Sequence, residues 1–234
     1  MPAVAVVIPA KDESARVATT VRAAAQIPGV DLVLVVDDGS SDDTAAVAAA
    51  AGARVISHSR NRGKAAAMET GAAAVGGLDD PHDPRLLLFL DADLEGTAAA
   101  ATVLVPPVAD GVADMTIATL PPQRTAGGGH GFVVRAARAG IERATGFRPV
   151  QPLSGQRCLT RPAFEAARPL ARGFGVETAL TIDLLRAGFR VHEVECDLHH
   201  RVTGKDWRGR LHRFRQYLHV QRALVRYRGR NQGH

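Results

Sequence analysis

Aromatic side chains are scarce in this sequence: 4% of 234 residues, with one Trp and two Tyr. A binding face built from stacked rings is therefore not expected, and the abundant Ala and Gly point instead to closely packed helices. Cysteine is nearly absent as well. Cys158 and Cys196 are far apart and lack metal-ligand spacing, which excludes a disulfide framework and leaves two small buried apolar residues. Long apolar runs are missing. Residues 4–9 are too short for a signal core or a membrane span, and no stretch of about 18 apolar residues occurs elsewhere. A soluble, cytoplasmic protein is expected. At 46% apolar residues the chain can fill one substantial core, so 1–234 reads as a single domain.

The net charge of +5 conceals an uneven distribution. From His199 onward ten Lys/Arg stand against Asp206 alone; of 29 basic and 24 acidic residues this leaves 19 and 23 before it, a body of −4 and a tail of +9. Such asymmetry suits an anionic partner for the tail, either a phosphorylated substrate, lipid headgroups or nucleic acid, or else a merely solvated helix face. Residues 207–227 place Leu211, Phe214, Leu218, Leu224 and Val225 among arginines, the pattern of a basic amphipathic helix.

The first half alternates strand and helix signals. Continuous apolar runs at 4–8, 32–36 and 86–90, with a shorter strand at 54–57, are separated by helical stretches at 14–26, at 63–75 and through Ala51, the last capped by Asp42 or Asp43. Strands apolar on both faces and joined by helices imply an α/β fold, a mostly parallel sheet with helices on each side. In such sheets ligands bind beyond the carboxyl ends of the strands. Lys11-Asp12-Glu13, Asp37-Asp38 and Asp91-Ala92-Asp93 each follow a strand and should line one crevice. The second half is less regular. Residues 121–131, with Pro-Pro and Gly-Gly-Gly, read as a loop and 127–131 as a flexible lid; helices are expected at 132–144, 162–167 and 176–187 and a strand at 189–196.

Asp91 and Asp93 are two apart in a stretch read as extended, so their carboxylates should point to one side. Paired hard oxygens suit Mg²⁺ or Mn²⁺, which complete their shells with phosphates and water; alone, the pattern is more often a turn or cap, and its weight here comes from its place after the fourth strand. One carboxylate of Asp37-Asp38 can accept from a nucleobase N–H, or the pair can simply form a turn. Asn61-Arg62-Gly63-Lys64 precedes a helix start, where amides and a lysine favour a phosphate.

With Val6 through Glu13, Val36 through Thr44, Asn61 through Gly71 and Leu90 through Asp93 in this order, the sequence resembles the family-2-like glycosyltransferases of the Rossmann-like GT-A fold. Asp12 departs from the resemblance, standing where the family more often has Asn. The likeness implies a nucleotide-binding half over 1–97, with Pro9, Ala10 and Glu13 bordering the nucleotide and Asp38 or Asp37 at the base. It further places Lys64 at the diphosphate or ribose, and Asp91, Ala92 and Asp93 at the metal and donor, Asp93 serving catalysis through the metal. Residues 98–200 would form the acceptor half and 201–234 the basic C-terminal segment. Two subgroups, the dolichol-phosphate mannose synthases and the glucosyl-3-phosphoglycerate synthases, are similar in the second half. That likeness sets Gln156 and Arg157 of Pro152-Leu153-Ser154-Gly155-Gln156-Arg157 in the acceptor region and makes Glu177 the group that orients or deprotonates the acceptor, unless it only stabilises a helix start. It also makes His200 a metal ligand and Arg201 and Lys205 phosphate contacts.

The expected activity is metal-dependent transfer of a sugar from a UDP or GDP donor to a small or phosphorylated acceptor. A base-assisted single displacement would invert configuration, and the phosphoglycerate-like features imply retention; the sequence leaves this open. It leaves open too a polyprenyl-phosphate acceptor with peripheral membrane contact through the tail, and a homodimer. A sugar nucleotidyltransferase lacks its Gly-rich loop here, where Pro9 to Glu13 stands. A non-catalytic nucleotide- or nucleic-acid-binding protein would explain the tail but not the acidic crevice, so no nucleic acid partner is expected.

Overall fold

A computed structural model describes residues 2–119 and 130–198, together with Leu224 and Tyr227. Four strands come from the first half: β1 (Val4–Ala10), β2 (Val30–Asp37), β3 (Arg54–Ser57) and β4 (Leu86–Phe89). Three come from the second: β5 (Met115–Thr119), β6 (Arg157–Leu159) and β7 (Val191–Glu195). They form one sheet in the order β3-β2-β1-β4-β6-β5-β7. β1 pairs in parallel with both β2 and β4, whereas β6 runs antiparallel to β4 and to β5. The strand order reverses between β1 and β4, so the crevice expected in open α/β sheets opens beyond their carboxyl ends.

Neighbouring residues of β1 feed opposite cores because strand side chains alternate. Val4, Val6 and Ile8 pack with Val17, Val21 and Ala24 of α1 (Val17–Ala24) and with the 3-10 helix Glu95–Leu104. Ala5 and Val7 face α3 (Lys64–Gly76), following α2 (Thr44–Ala50), and that side is completed by α6 (Arg161–Ala166) and α7 (Val176–Arg186). Between them lie α4 (Pro106–Ala109) and α5 (His130–Thr145). Phe89 of β4 stacks on Phe164 of α6 with ring centroids 5.4 Å apart, a contact worth about 1 kcal/mol beyond burial. Both cysteines are buried, and burial pushes their pKa values up, to about 12 for Cys158 and about 11 for Cys196.

Several expectations shift. Asp42 supplies the carboxylate that accepts from the Thr44 amide at the start of α2. His130 and Gly131 open α5 instead of closing a loop; the rest of the expected lid, Gly127 to Gly129, lies outside the described residues. The amphipathic helix expected at 207–227 also lies outside them, save for Leu224 and Tyr227, which are buried against α5 and α7. Tyr227 donates its hydroxyl to Asp183 Oδ1 at 2.7 Å. Among the described residues no helix is long and apolar enough to cross a membrane.

Gly71 shows how closely α3 approaches the sheet. A Cβ there would meet Val7 Cγ1 at 2.4 Å and Val36 Cγ2 at 3.2 Å. Gly71→Ala should therefore cost about 1–3 kcal/mol through overpacking, lowering the melting temperature by roughly 2–10 °C in a calorimetric scan. An unchanged melting temperature would show that α3 does not sit this close.

Candidate functional site

The turns after β1 and β2 are laced together. Asp12, at φ 54°, receives the Ser41 amide at 2.7 Å, while Lys11 Nζ donates to Gly39 O at 2.9 Å and the Glu13 amide to Thr44 Oγ1 at 2.8 Å. Pro9 and Ala10 end β1, with Ala10 in register with Asp37. Asp37 is buried, and its Oδ1 accepts from the Ser40 amide at 3.1 Å, the side-chain turn that Asp favours.

Asp38, expected at the base, is engaged by bonds within the protein. Its Oδ1 accepts from His58 Nδ1 at 2.7 Å and from the Arg62 amide at 2.8 Å, and its Oδ2 from the Gly63 amide at 2.7 Å. His58 Nε2 in turn meets Thr70 Oγ1 at 3.0 Å. The carboxylate thus fixes the loop that leads into α3. Burial alone would raise its pKa, but the bonds from His58 and the two amides outweigh that and hold it below the usual carboxylate range. His58 escaped the sequence reading although its position, immediately after a strand, is the signal that identified the other clusters.

Lys64, the first residue of α3, reaches across the crevice. Its Nζ lies 2.7 Å from Asp91 Oδ1 and 3.0 Å from Glu177 Oε1 of α7. Gln156 Nε2 donates to Asp91 Oδ2 at 2.7 Å. Gly155 makes room: a Cβ there would stand 2.5 Å from Lys64 Nζ and 2.9 Å from either Asp91 oxygen. Burial pulls the Lys64 pKa down, yet Asp91 and Glu177 more than offset this and hold it above the ordinary lysine value. The ammonium stays charged.

The stretch turns at Ala92 and Asp93 rather than running extended, so strand alternation does not set the two carboxylates of Asp91 and Asp93 on one side. Thr20 of α1 pins this turn, donating to Ala92 O at 2.8 Å and accepting from the Glu95 amide at 2.8 Å. The charge of Asp93 is felt by Glu13 and Arg16, which are themselves paired at 2.6 Å. Burial raises the Glu13 carboxyl, Arg16 opposes the shift and Asp93 adds to it. Among the described residues no group of three or more His, Cys, Asp and Glu is arranged to hold a metal. His200, Arg201 and Lys205 lie outside the described residues.

Arg157 does not reach the crevice. Its side chain is 1% exposed and bonded within the protein. Gln156 and Arg157 are adjacent, and neighbours entering a strand point to opposite sides, so both could not face one ligand.

The fold is an open α/β sheet with a lysine and two carboxylates gathered where its strand order reverses. The sequence profile of glycosyl transferase family 2 matches residues 5–146, more than half of the chain, and the protein belongs to that family. The chain is 30% identical over 181 residues to the glycosyltransferase AglJ of Haloferax volcanii, covering 74% of this chain and 56% of that relative's length. Glucosyl-3-phosphoglycerate synthase of Mycobacterium tuberculosis is similar in structure. Its complex with Mg²⁺ and uridine diphosphate superposes with a TM-score of 0.78 at 27% identity, covering 97% of this chain and 80% of that one. The complex with Mn²⁺, uridine diphosphate and phosphoglyceric acid gives a TM-score of 0.76 at 27% identity, covering 97% and 78%.

The Asp38 cluster has a signed pH dependence. A carboxyl held below its unfolded value of about 3.9 contributes stability that is complete above that value and is lost as the pH falls through the folded value. Asp38→Asn should be less stable than the wild type at pH 7 by about 1–3 kcal/mol. Urea unfolding at a series of pH values should show the gap closing below about pH 4. A gap of constant size would deny the carboxylate this role.

Proposed function

We propose that this chain transfers a glycosyl group from a nucleoside diphosphate sugar, with uridine diphosphate as the carrier, to an oxygen of an anionic acceptor. The observation that carries the reading is the meeting of Lys64, Asp91, Gln156 and Glu177 at the carboxyl edge, where β1 and β4 part. Relatives solved with uridine diphosphate and phosphoglyceric acid support the choice of carrier and the anionic character of the acceptor.

In the transfer the bond between the anomeric carbon and the diphosphate oxygen breaks, its electron pair leaving with the diphosphate, while the acceptor oxygen bonds to the anomeric carbon and loses its proton. Lys64, kept charged by two carboxylates, is positioned to meet negative charge on the departing phosphate. Gln156 and Lys64 hold Asp91 in one orientation. Glu177, 12% exposed at the first turn of α7, is the group that orients the acceptor hydroxyl or accepts its proton. Pro9, Ala10, Glu13 and Asp37 border the nucleotide, with Asp38 setting the loop beside it. The hard carboxylate oxygens of Asp91 and Asp93 at the strand end fit Mg²⁺ or Mn²⁺, which would offset charge on the diphosphate when bound. His200, Arg201 and Lys205 complete the proposal as a metal ligand and phosphate contacts.

Melting temperature followed with UDP-glucose and GDP-mannose, each with Mn²⁺ or with EDTA, tests this. Ligand at a hundredfold excess over its dissociation constant adds about 2.7 kcal/mol to stability. UDP-glucose with Mn²⁺ should raise the melting temperature clearly, and Asp93→Ala should remove the part that EDTA removes. No shift with either donor would overturn the reading, and a shift equal in EDTA would remove the metal from it.

A further inference from the structure

Arg157 is a fully buried cation whose guanidinium, among the described residues, meets neutral groups only. Nε donates to Ser154 O at 2.9 Å, Nη1 to Thr181 Oγ1 at 2.9 Å, and Nη2 leans toward Pro152 O at 3.4 Å. Burying a charge in this way is costly, and an apolar side chain of similar length would fill the space without that cost. The register explains where it points. Arg157 stands opposite Phe89 of β4 and Ile117 of β5, and residues directly opposite share a face, which here is the face covered by α7.

The two segments that Arg157 joins are the two that enclose Lys64 and Asp91. Ser154 precedes Gly155, whose missing side chain admits Lys64, and Gln156, whose amide holds Asp91. Thr181 lies one turn beyond Glu177 and donates to its carbonyl at 2.9 Å. The far end of the same loop is tied separately: Glu193 accepts from the amides of Val150 and Gln151 at 2.7 and 2.8 Å, and Arg138 donates to Pro149 O at 2.7 Å. At the near end Arg157 acts beside the Ala118 amide, which donates to Gln156 O at 3.0 Å, and of these bonds among the described residues only those of Arg157 tie the loop to α7.

We infer that Arg157 is a positioning residue, whose planar fork sets the 152–156 loop against α7 and so fixes the spacing of Gln156 and Glu177 about Lys64 and Asp91. The proposal rests on the transfer reading given above for its kinetic consequence, but not for its structural one. Burial draws the Arg157 pKa down to about 10, so the fork remains charged at neutral pH, with Glu177 and Glu193 helping to keep it so. A lysine could not replace it, because a point charge does not reproduce divergent donors in one plane.

The test compares the wild type with Arg157→Met and Arg157→Lys in the full chain. Three readouts are followed: melting temperature, hydrogen exchange at residues 153–156, and kcat and KM for UDP-glucose turnover with Mn²⁺. Replacing a buried charge by an apolar side chain of similar length changes global stability little, so Arg157→Met should melt within several degrees of the wild type, whereas Arg157→Lys keeps a charge in the same dry site without the fork and should melt no higher than Arg157→Met. Exchange at 153–156 should rise at least tenfold while exchange in β1 and β2 stays unchanged. The donor KM should hold within about twofold and kcat fall by about tenfold or more, as misplacement of reacting groups demands. Thr181→Val, which removes one partner and keeps the arginine, should move exchange and kcat in the same direction. Unchanged exchange at 153–156, or losses that simply follow a global fall in melting temperature, would overturn the proposal. If the wild type turns over no UDP-glucose, the transfer reading fails for that donor, and the exchange measurement still decides the role of Arg157.

Discussion

The ammonium of Lys64, 2.7 Å from Asp91 and 3.0 Å from Glu177, is the contact on which the arrangement of the crevice depends. Two carboxylates brought together at a partly dry sheet edge repel one another and resist losing water. A cation between them removes both difficulties, and water still reaches the group, with about a third of each of Lys64 and Asp91 exposed (31% and 30%). Solvent screening keeps the pair modest as a source of stability. Its consequence is geometric: residues from α3, the end of β4 and α7 are held at one point.

Each partner arrives there through a different piece of local physics. Lys64 begins α3 because Gly63, at φ 90°, lets the chain turn into the helix, and because Asp38 takes the Arg62 and Gly63 amides. Asp91 follows a strand buried on both faces and is then swung by a turn that Thr20 pins. Glu177 sits in the first turn of α7, where the helix dipole favours a carboxylate. The dipole and the lysine act together, so the structural and the chemical readings of this residue do not compete.

Much of this was legible in the sequence. Continuous apolar runs marked β1, β2 and β4, and the acidic clusters behind them marked the rim, because a parallel sheet needs apolar strands and leaves its ligands at the carboxyl ends. What failed to show were β5 and β6. β6 has three residues, too few for a periodic pattern, and an antiparallel strand inserted between β4 and β5 depends on pairing between residues as distant in sequence as Leu87 and Leu159, or Met115 and Leu159. Without β6 the alternation that sends Gln156 to Asp91 and Arg157 to the core could not be read. The loop-holding role of Asp38 was hidden for a related reason: its partner His58 is twenty residues away.

The central claim is that Lys64 and Asp91 act as one unit under the reacting phosphate. A double-mutant cycle on nucleotide-sugar turnover, with Lys64→Met, Asp91→Asn and the pair combined, measures it directly. The account predicts that each single substitution removes most of kcat and that the second adds little to the first. Losses that multiply independently would contradict it.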